Sequence, residues 1–238
     1  MRTGEMQLSK QEEPKNQGAL STKQRFVVET YELLRENGLE NLRVRDIASR
    51  VGCTPAALYK HFESMDHLVM LGSVKFLDGY AKELVPITLY SLDSLTLDLQ
   101  AWRVFIRHAF ENPPIFIHLF WGNASEITFG DIMAEYTAMF GSLHGDDKSQ
   151  DALYGYYYSA MFEDTLQKRD YVWLRKAAGE GLMKIEDALF VSKTNDCIVH
   201  ASLIDHMRDY MDPRVREQAI AECIALIEKN IEDHRIRE

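Results

Sequence analysis

The sequence contains few of the residues that interrupt helices or that bind metal ions through sulfur. It has 13 glycines and 6 prolines in 238 residues, which is few for a β-rich chain with many tight turns. Cys53, Cys197 and Cys223 are its three cysteines, and they have no metal-ligand spacing. A small and odd number of cysteines favours a reducing compartment, and we therefore expect a cytoplasmic protein. The scarcity of glycine and proline favours a mostly helical one.

Long apolar runs are also missing. No stretch of about 18 apolar residues occurs, so we expect no transmembrane helix and no membrane partner. Residues 1–20 are polar and charged, which is unlike a signal peptide and typical of a disordered tail. The composition, 46% hydrophobic and 27% charged, is that of a globular chain with one or two domains and a sizeable core.

Charge is distributed unevenly along the chain. The net charge of −10 argues by itself against nucleic-acid binding, because phosphates attract positive charge. Residues 1–70, however, hold 10 basic and 10 acidic residues, so the other 17 basic and 27 acidic residues account for the whole excess. Any DNA-facing surface should therefore lie in the N-terminal part.

Motifs of the common all-helical and phosphate-binding enzymes are absent. The sequence has no Glu-x-x-His pair for a di-iron bundle, no His-Glu-x-x-His zinc motif, no Gly-rich phosphate loop and no Gly-x-Ser-x-Gly. We therefore expect no catalytic residues, no metal and no cofactor. An all-helical enzyme is the least favoured alternative.

The N-terminal part contains two short helical patterns separated by a tight break. Ser21 is the expected N-cap of a preceding helix, which ends at Gly38. In RVRDIASRVGCTPAALYKHF, residues 43–62, one apolar helical stripe ends at Gly52, and Thr54 with Pro55 begins the next helix. This spacing predicts a helix-turn-helix, whose second helix lies in the major groove, although simple helix packing also produces it.

The longer run GLENLRVRDIASRVGCTPAALYKHFESMDHL resembles the DNA-binding domain of the TetR family of regulators. The matching residues are Gly38, Ile47-Ala48, Val51-Gly52 and above all Leu58-Tyr59-x-His61-Phe62, followed by Ser-x-x-x-Leu. The resemblance is specific over about residues 23–70 and architectural beyond them. It implies an all-α fold with a three-helix helix-turn-helix domain at 21–66 and a helical effector-binding and dimerisation domain at 67–238.

The same resemblance implies which residues contact DNA: Arg43, Arg45, Thr54, Pro55, Ala56, Ala57, Tyr59, Lys60 and His61. Arg45 matches a position that reaches a base or a phosphate, and it can form a bidentate pair with guanine. Tyr59 and His61 match phosphate-binding positions, and Lys60 between them can contact phosphate or base. A solvated charged face is the alternative for Arg43 and Arg45.

Three departures from the family pattern affect DNA contact. Arg43 stands where the family commonly has a capping threonine, so Asn41 or water must serve the free N–H groups of the second helix. Met65 replaces a common lysine and removes a phosphate contact. Ala56 and Ala57 offer only methyl contacts to thymine, so direct readout depends mainly on Arg45.

Aromatic and methionine side chains are frequent between residues 85 and 190. At helical spacing such residues are usually core, and composition does not distinguish a packed core from a lined pocket. The resemblance implies an effector cavity here, which would suit an apolar or aromatic ligand. The predicted contacts are Trp102, Phe105, Arg103, Arg107, Phe116, His118, Phe120, Trp121, Tyr136, Phe140, Tyr157 and Met161. Among them Arg103, Arg107 and His118 are expected to face inward.

Two C-terminal helices, at about residues 195–234, carry continuous apolar stripes. The resemblance implies that they form a four-helix bundle with a second copy, and packing within one chain is the alternative. The predicted interface residues are Cys197, Ile198, Ala201, Ile204, Ala219, Cys223, Leu226 and Ile227.

These expectations describe a ligand-responsive transcriptional regulator. It would repress by binding a palindromic double-stranded operator as a homodimer, and a small-molecule effector would release it. The coupling would run through a fourth helix at about residues 64–83. A dimeric helical adaptor with degenerate DNA binding is the alternative, and activation in place of repression stays open.

Overall fold

The computed structural model describes residues 20–88, 92–122, 127–141 and 159–237. Its regular structure is helical, which confirms the predicted fold class. The helices are α1 (Thr22–Asn37), α2 (Val44–Val51), α3 (Pro55–Leu58), α4 (Met65–Val74), α5 (Leu77–Thr88), α6 (Ser94–Glu111), α7 (Pro113–Trp121), α8 (Phe129–Phe140), α9 (Leu166–Gly179), α10 (Ile185–His206) and α11 (Pro213–Asp233). No helix in these ranges is long and apolar enough to cross a membrane.

Local capping determines where α1 begins and ends. The Ser21 hydroxyl accepts a hydrogen bond from the Gln24 N–H at 3.2 Å, and Gln24 Oε1 accepts one from the Ser21 N–H at 2.9 Å. This reciprocal arrangement is a capping box. The helix ends at Gly38, whose φ of +73° favours glycine, as the sequence predicted.

A tight turn joins α2 to α3. Gly52 has a φ of +74°, and the following Cys53 N–H donates to the Ala48 carbonyl at 2.8 Å. Pro55 then begins α3, which is only four residues long and continues as turns as far as Phe62. The predicted helix-turn-helix is therefore present, with a short second helix.

The start of α2 has no side-chain cap. Arg43 Nη1 donates instead to the carbonyl oxygens of Glu40 and Leu42, at 2.7 and 3.0 Å. Asn41 Nδ2 donates to the Asn37 carbonyl at 2.9 Å, so it serves the end of α1 and not the start of α2. The expected cap from Asn41 is wrong, which leaves the first N–H groups of α2 open to solvent or to a phosphate.

The helix expected at about residues 64–83 is divided in two. α4 ends at Val74, and the Phe76 N–H donates to the Ser73 carbonyl at 3.0 Å in a tighter turn. The ring of Phe76 packs edge-on against Tyr31 of α1, with 5.0 Å between ring centroids. This long-range contact accompanies the change of direction, and the apolar pattern of the segment does not reveal it.

α4 lies very close to α1. A Cβ atom on Gly72 would be 2.7 Å from Cγ2 of Thr30, so the approach requires glycine. Thr30 is fully buried, and its hydroxyl donates to the Phe26 carbonyl at 2.8 Å. The expected domain boundary at residues 66 and 67 falls inside α4, which packs on α1 at one side and on α7 and α8 at the other.

The larger part of the chain is arranged around α6. This helix packs against α5, α9 and α11, and α10 lies between α9 and α11. Asn112 follows α6, and Pro113 starts α7 at the next residue. The core of this part is aromatic and aliphatic, and it includes Trp102, Phe105, Phe110 and Phe116.

Candidate nucleic-acid interface and effector cavity

Most of the residues predicted to contact DNA are exposed. The exposed ones are Arg43, Arg45, Thr54, Pro55, Ala56, Tyr59 and Lys60, whereas Ala57 and His61 are half-buried. Tyr59 is 57% exposed, which is high for an aromatic side chain. The structure therefore presents the start of α2, the leading turn of α3 and the two residues after α3 to solvent.

Two buried side chains fix α3 on the domain core. Leu58 is fully buried and Phe62 is 3% exposed. The Phe62 ring meets Phe26 of α1 edge-on at 6.0 Å, and Lys23 Nζ lies 5.5 Å from its centroid. These contacts orient the recognition helix without touching its outer face.

The basic side chains near this surface differ in their partners. Arg50 forms an ion pair with Glu36 and lies 3.9 Å from Glu29. Its hydrogen bond lowers the pKa of Glu36 below the ordinary value. Neither Arg45 nor Lys60 has an ion-pair partner in the part of the chain that the structure describes. Their positive charge is available to phosphate or to bases.

A shared carboxylate joins α8 to the DNA-binding part. Glu135 lies 2.7 Å from Lys23 Nζ and 2.9 Å from His67 Nε2. His67 is 5% exposed, and its Nδ1 accepts from the Glu63 N–H at 3.3 Å, so Nε2 carries the proton donated to Glu135. Lys23 and His67 hold the pKa of Glu135 below its ordinary value, although its burial opposes them.

Two further contacts cross the same boundary. Gln24 Nε2 of α1 donates to the Met139 carbonyl of α8 at 2.6 Å. His118 Nε2 of α7 lies 3.3 Å from Asp66 Oδ1 of α4, and burial lowers the pKa of His118. These contacts connect α7 and α8 directly to α4 and α1.

A narrow cavity lies among α5, α6, α9 and the turn at residues 159–161. Its free volume is about 40 Å³. Its walls are Tyr80, Leu84, Asp98, Ala101, Trp102, Phe105, Ala160, Met161, Leu166, Arg169, Asp170 and Trp173.

Two buried carboxylates face this cavity. Asp170 accepts hydrogen bonds from Trp102 Nε1 at 2.8 Å and Asn195 Nδ2 at 3.0 Å, and Asn195 in turn accepts from Asn230 Nδ2 of α11 at 2.8 Å. Asp98 is 2% exposed, and no donor among the described residues reaches its Oδ2 atom. Burial, together with the proximity of Asp170, raises the pKa of Asp98 well above its ordinary value. Burial also raises the pKa of Asp170, to about 6.

A second, more polar cavity of about 230 Å³ lies nearer the DNA-binding part. It is lined by Asp66, Met70, His118, Leu119, Phe120, Trp121, Gly122, Ile127, Thr128, Phe129, Asp164 and Thr165. The Arg169 guanidinium lies over the rings of Phe129 and Phe120, at 4.0 and 4.9 Å. These two rings therefore lie between Arg169, which lines the first cavity, and the second.

Comparison with known families identifies the N-terminal part. Residues 27–70 match the model of the family described as bacterial regulatory proteins, tetR family. The chain carries a TetR-family DNA-binding domain. The match agrees with a regulator and not with an enzyme. No curated protein sequence matches the chain.

Solved structures of TetR-family regulators share the fold over both parts of the chain. A TetR transcription regulator from Haloarcula marismortui is 13% identical with a TM-score of 0.55, over 90% of this chain and 98% of that one. RolR in complex with resorcinol is 12% identical with a TM-score of 0.55, over 89% and 91%. FadR of Thermus thermophilus, a repressor in complex with lauroyl-CoA, is 11% identical with a TM-score of 0.56, over 91% and 96%. At these identities the likeness shows the fold alone.

In the part of the chain that follows the TetR-type domain, the side chains predicted to contact a ligand lie in several places. Trp102, Phe105 and Met161 line the first cavity, and His118, Phe120 and Trp121 line the second. Phe116 and Tyr136 are buried in the core, Phe140 is half-buried against it, and Tyr157 lies outside the described residues.

Arg103 and Arg107 do not face inward, so that expectation was wrong. Arg103 Nε donates to Glu228 of α11 at 3.0 Å, and Arg107 pairs with Glu83 of α5. Both arginines are more than one third exposed. Each one lies opposite a carboxylate on a neighbouring helix, and sequence spacing within α6 does not show that partner.

Sequence reasoning missed Asp98 and Asp170. A signal was present, because Asp98 lies four residues before Trp102 and three after Leu95, on the apolar stripe of α6. Asp170 likewise lies four residues after Leu166 and three before Trp173, on the apolar stripe of α9. An acid inside an apolar stripe is unusual and points to a buried role. No group of three or more metal-binding side chains occurs in the described ranges.

The side chains predicted for the dimer interface fall into two sets. Cys197, Ala201, Ile204 and Leu226 are exposed, and Ile198 and Ala219 are half-buried. Cys223 and Ile227 are 1% and 0% exposed and pack inside the chain, so the prediction was wrong for these two. The apolar stripe on α11 is wide enough that one side of it packs inside the chain and the other side is exposed to solvent.

Proposed function

We propose that this protein is a ligand-responsive transcriptional repressor that binds a palindromic operator as a homodimer. One observation carries the proposal: Arg45 of α2 and Lys60, just after α3, are exposed and have no acidic partner among the described residues, in a chain whose net charge is −10. The acidic excess lies outside residues 1–70, so phosphate attraction concentrates at the N-terminal surface.

The α3 surface fits a major groove in its chemistry. Thr54, Pro55 and Ala56 form the exposed leading turn, where a thymine methyl can contact the alanine. Arg45, at the start of α2, is placed to read guanine, and Tyr59 can bind a phosphate oxygen. Arg43 and His61 are assigned to phosphate contact, with Arg43 released from its carbonyl partners.

An exposed apolar face supports the homodimer. Ile204 is 51% exposed, Met211 74%, Val215 41% and Leu226 51%, all on α10, α11 or the turn between them. Side chains of this size are usually covered, and a second copy would cover them by two-fold symmetry. Such a dimer brings two α3 helices to half-sites about 34–36 Å apart, which requires a palindromic operator.

The contacts between the two parts provide a route for release. A ligand in the larger domain shifts α7, α8 or α9 only to the extent that it binds two conformations unequally. Glu135 ties α8 to Lys23 and His67, so such a shift would change the separation of the α3 helices. In this proposal DNA binding belongs to residues 21–66, effector binding and dimerisation belong to residues 67–238, and the protein acts in the cytoplasm.

Fluorescence anisotropy would test the proposal with the DNA upstream of the protein's own gene, against a scrambled duplex, at several salt concentrations. We expect tight, sequence-selective, salt-dependent binding by a dimer, and reduced occupancy when transcription is induced. Equal affinity for the two duplexes at every salt concentration would refute operator binding. A rise in transcription on binding would refute repression and establish activation.

A further inference from the structure

We infer that the cavity between α6 and α9 binds an organic cation, an amine or quaternary ammonium with an apolar or aromatic body. The inference rests on the proposed function, since this ligand would be the effector. It is carried by the two carboxylates, Asp98 and Asp170, which are 2% and 4% exposed in a cavity with aromatic walls.

Asp98 shares a side-chain hydrogen bond with Asp170 and receives none from a neutral or cationic donor among the described residues. No donor among the described residues reaches its buried Oδ2 atom, whereas Asp170 receives bonds from Trp102 and Asn195. An ionised carboxylate without a partner is costly to bury, so the pair needs a shared proton or a cation from outside. A ligand that brings a positive charge replaces the proton and satisfies both acids.

Arg169, the cation of the protein at this cavity, is engaged elsewhere. Its guanidinium donates to the carbonyl oxygens of Met161 and Glu163, at 3.0 and 3.1 Å, and lies over the rings of Phe129 and Phe120. It forms no ion pair within 4.0 Å with either acid among the described residues. The negative charge of the pair is therefore left for a ligand.

The aromatic walls favour a cation over a neutral polar group. Trp102 and Tyr80 both line the cavity and meet Phe105, a third lining ring, edge-on at 5.8 and 5.7 Å. Ring faces attract ammonium groups and stabilise them further when water is excluded. Carboxylates that are enclosed by aromatic rings make a site for an ammonium group, and they would repel an anion.

The free space limits the part of the ligand that is fully enclosed. About 40 Å³ is room for roughly three water molecules, or for one ammonium head group. The apolar body must then displace side chains, and Met161 and Leu84 are the adaptable ones in the wall. Insertion of the body would displace α9, one of the helices whose shift the proposed release mechanism uses.

Isothermal titration calorimetry of the full chain tests the charge requirement. The probes share one ring and differ in head group: 2-phenylethylammonium, neutral 2-phenylethanol and anionic phenylacetate. We expect the cation to bind at least about tenfold more tightly than the alcohol, and phenylacetate not to bind. Equal or tighter binding of the alcohol, or no binding of the cation at millimolar concentration, would overturn the inference.

Variants locate the site. Asp98→Asn and Asp170→Asn should each weaken binding of 2-phenylethylammonium by about 30-fold or more. Glu111→Gln is the matched control, because Glu111 is an exposed carboxylate at the far end of the same helix. Thermal melting confirms that each variant is folded. The Tm of Asp98→Asn and Glu111→Gln should lie at or above the wild-type value, whereas Asp170→Asn should melt lower because it loses the acceptor for Trp102 or Asn195. Unchanged affinity in both asparagine variants would place the cation elsewhere and refute this site.

Operator binding, measured on the same samples, separates this inference from the proposed function. Selective DNA binding without any cation response refutes the inference and leaves the regulator intact. Cation binding at Asp98 without selective DNA binding upholds the site and refutes the regulator. Release of the operator by 2-phenylethylammonium in the wild type, but not in Asp98→Asn, supports both.

Discussion

Arg45 and Lys60 carry the same charge but have different relations to DNA. Arg45 lies at the start of α2, where its planar guanidinium can pair with one base, whereas Lys60 is a mobile point charge at the end of α3. Loss of a base contact affects the choice between sequences, and loss of a phosphate contact affects all sequences alike. Substitution of Arg45 therefore tests sequence readout, and substitution of Lys60 tests electrostatic attraction to the phosphates.

We expect Arg45→Ala to reduce discrimination between operator and random DNA by about 1–3 kcal/mol, and Lys60→Ala to weaken both and to lower the salt slope by about one. Anisotropy titrations at several salt concentrations measure both effects. Lys82→Ala, an exposed lysine of α5, removes the same charge away from α2 and α3 and should change neither. Equal losses on both DNAs for Arg45→Ala would contradict base reading.

The acid pair predicts a particular dependence of stability on pH. The folded-state pKa values of Asp98 and Asp170 lie above those of the unfolded chain, so the folded state binds more protons than the unfolded state from about pH 4 upwards. Stability from this pair is present below pH 4 and is lost as pH rises through about 6. Tyr80, with its pKa raised to about 12, does not titrate in this range. The Arg169 guanidinium also lines the cavity, and Asp196 of α10 adds to the repulsion.

In the Asp98→Asn variant, most of the loss of stability with rising pH should be absent. The free energy of unfolding of the variant, relative to wild type, should increase by roughly 1–3 kcal/mol between pH 5 and pH 7. Urea unfolding at several pH values measures the difference, and Glu111→Gln should show no such trend. A difference that is constant or falls with rising pH would mean that the pair is ionised and otherwise compensated.

At the scale of elements, α4 is the helix common to both parts of the molecule. Its N-terminus is capped by Ser64, whose hydroxyl accepts from the His67 N–H at 3.0 Å. The same residue, His67, donates to Glu135 of α8. A single turn of helix thus holds both the capping bond and the contact between domains.

Removal of this cap should destabilise the protein measurably. We expect Ser64→Ala to lower the free energy of unfolding by about 1 kcal/mol, because the N–H of His67 loses its acceptor. Chemical denaturation with urea provides the value, and Ser64→Thr, which keeps the hydroxyl, should lose much less. If Ser64→Ala and Ser64→Thr lower the free energy of unfolding equally, the capping bond does not stabilise α4.

Helix ends were predictable from the sequence, and helix partners were not. Ser21, Gly38 and Gly52 act within a few residues of their own position, so their type is enough to indicate a cap or a stop. The division between α4 and α5 is accompanied by contact of Phe76 with Tyr31, which lies 45 residues earlier in the sequence. Contacts of this kind are specified by packing and not by local pattern.

The same contrast applies to the candidate sites. The DNA-facing residues form one short segment, so a sequence motif contains them all. The cavity draws Tyr80 from α5, Asp98 and Trp102 from α6, and Asp170 from α9. Only the packing of these helices brings them together, and for that reason a list of aromatic residues did not find the acids.

At the scale of the whole molecule, charge and apolar exposure are concentrated on different parts. Arg45 on α2 and Lys60 just after α3 are exposed and have no ion-pair partner among the described residues, whereas the exposed apolar side chains Ile204 and Leu226 lie on α10 and α11. A protein that binds DNA as a dimer needs these surfaces apart, because one must stay free when the other is covered.

Two substitutions test the dimer. Ile204→Glu and Leu226→Glu should each convert a dimer, with twice the 27.5 kDa chain mass, into monomers, since a charge would be buried against its own copy. Sedimentation equilibrium measures the mass. Leu20→Glu makes the same change at an exposed position beside α1 and should leave the dimer intact. Dimers that persist in both variants would place the interface elsewhere.

The hydrogen-bonded chain from Asp170 through Asn195 to Asn230 reaches α11, the helix whose outer face carries Leu226. In a dimer built on α10 and α11, each effector cavity is therefore one helix away from the symmetry axis. A ligand that fills the cavity of one subunit would strain the α10 and α11 contacts at the dimer interface, which the other subunit shares. The two sites should be homotropically linked, and the effector titration should have a Hill coefficient different from one.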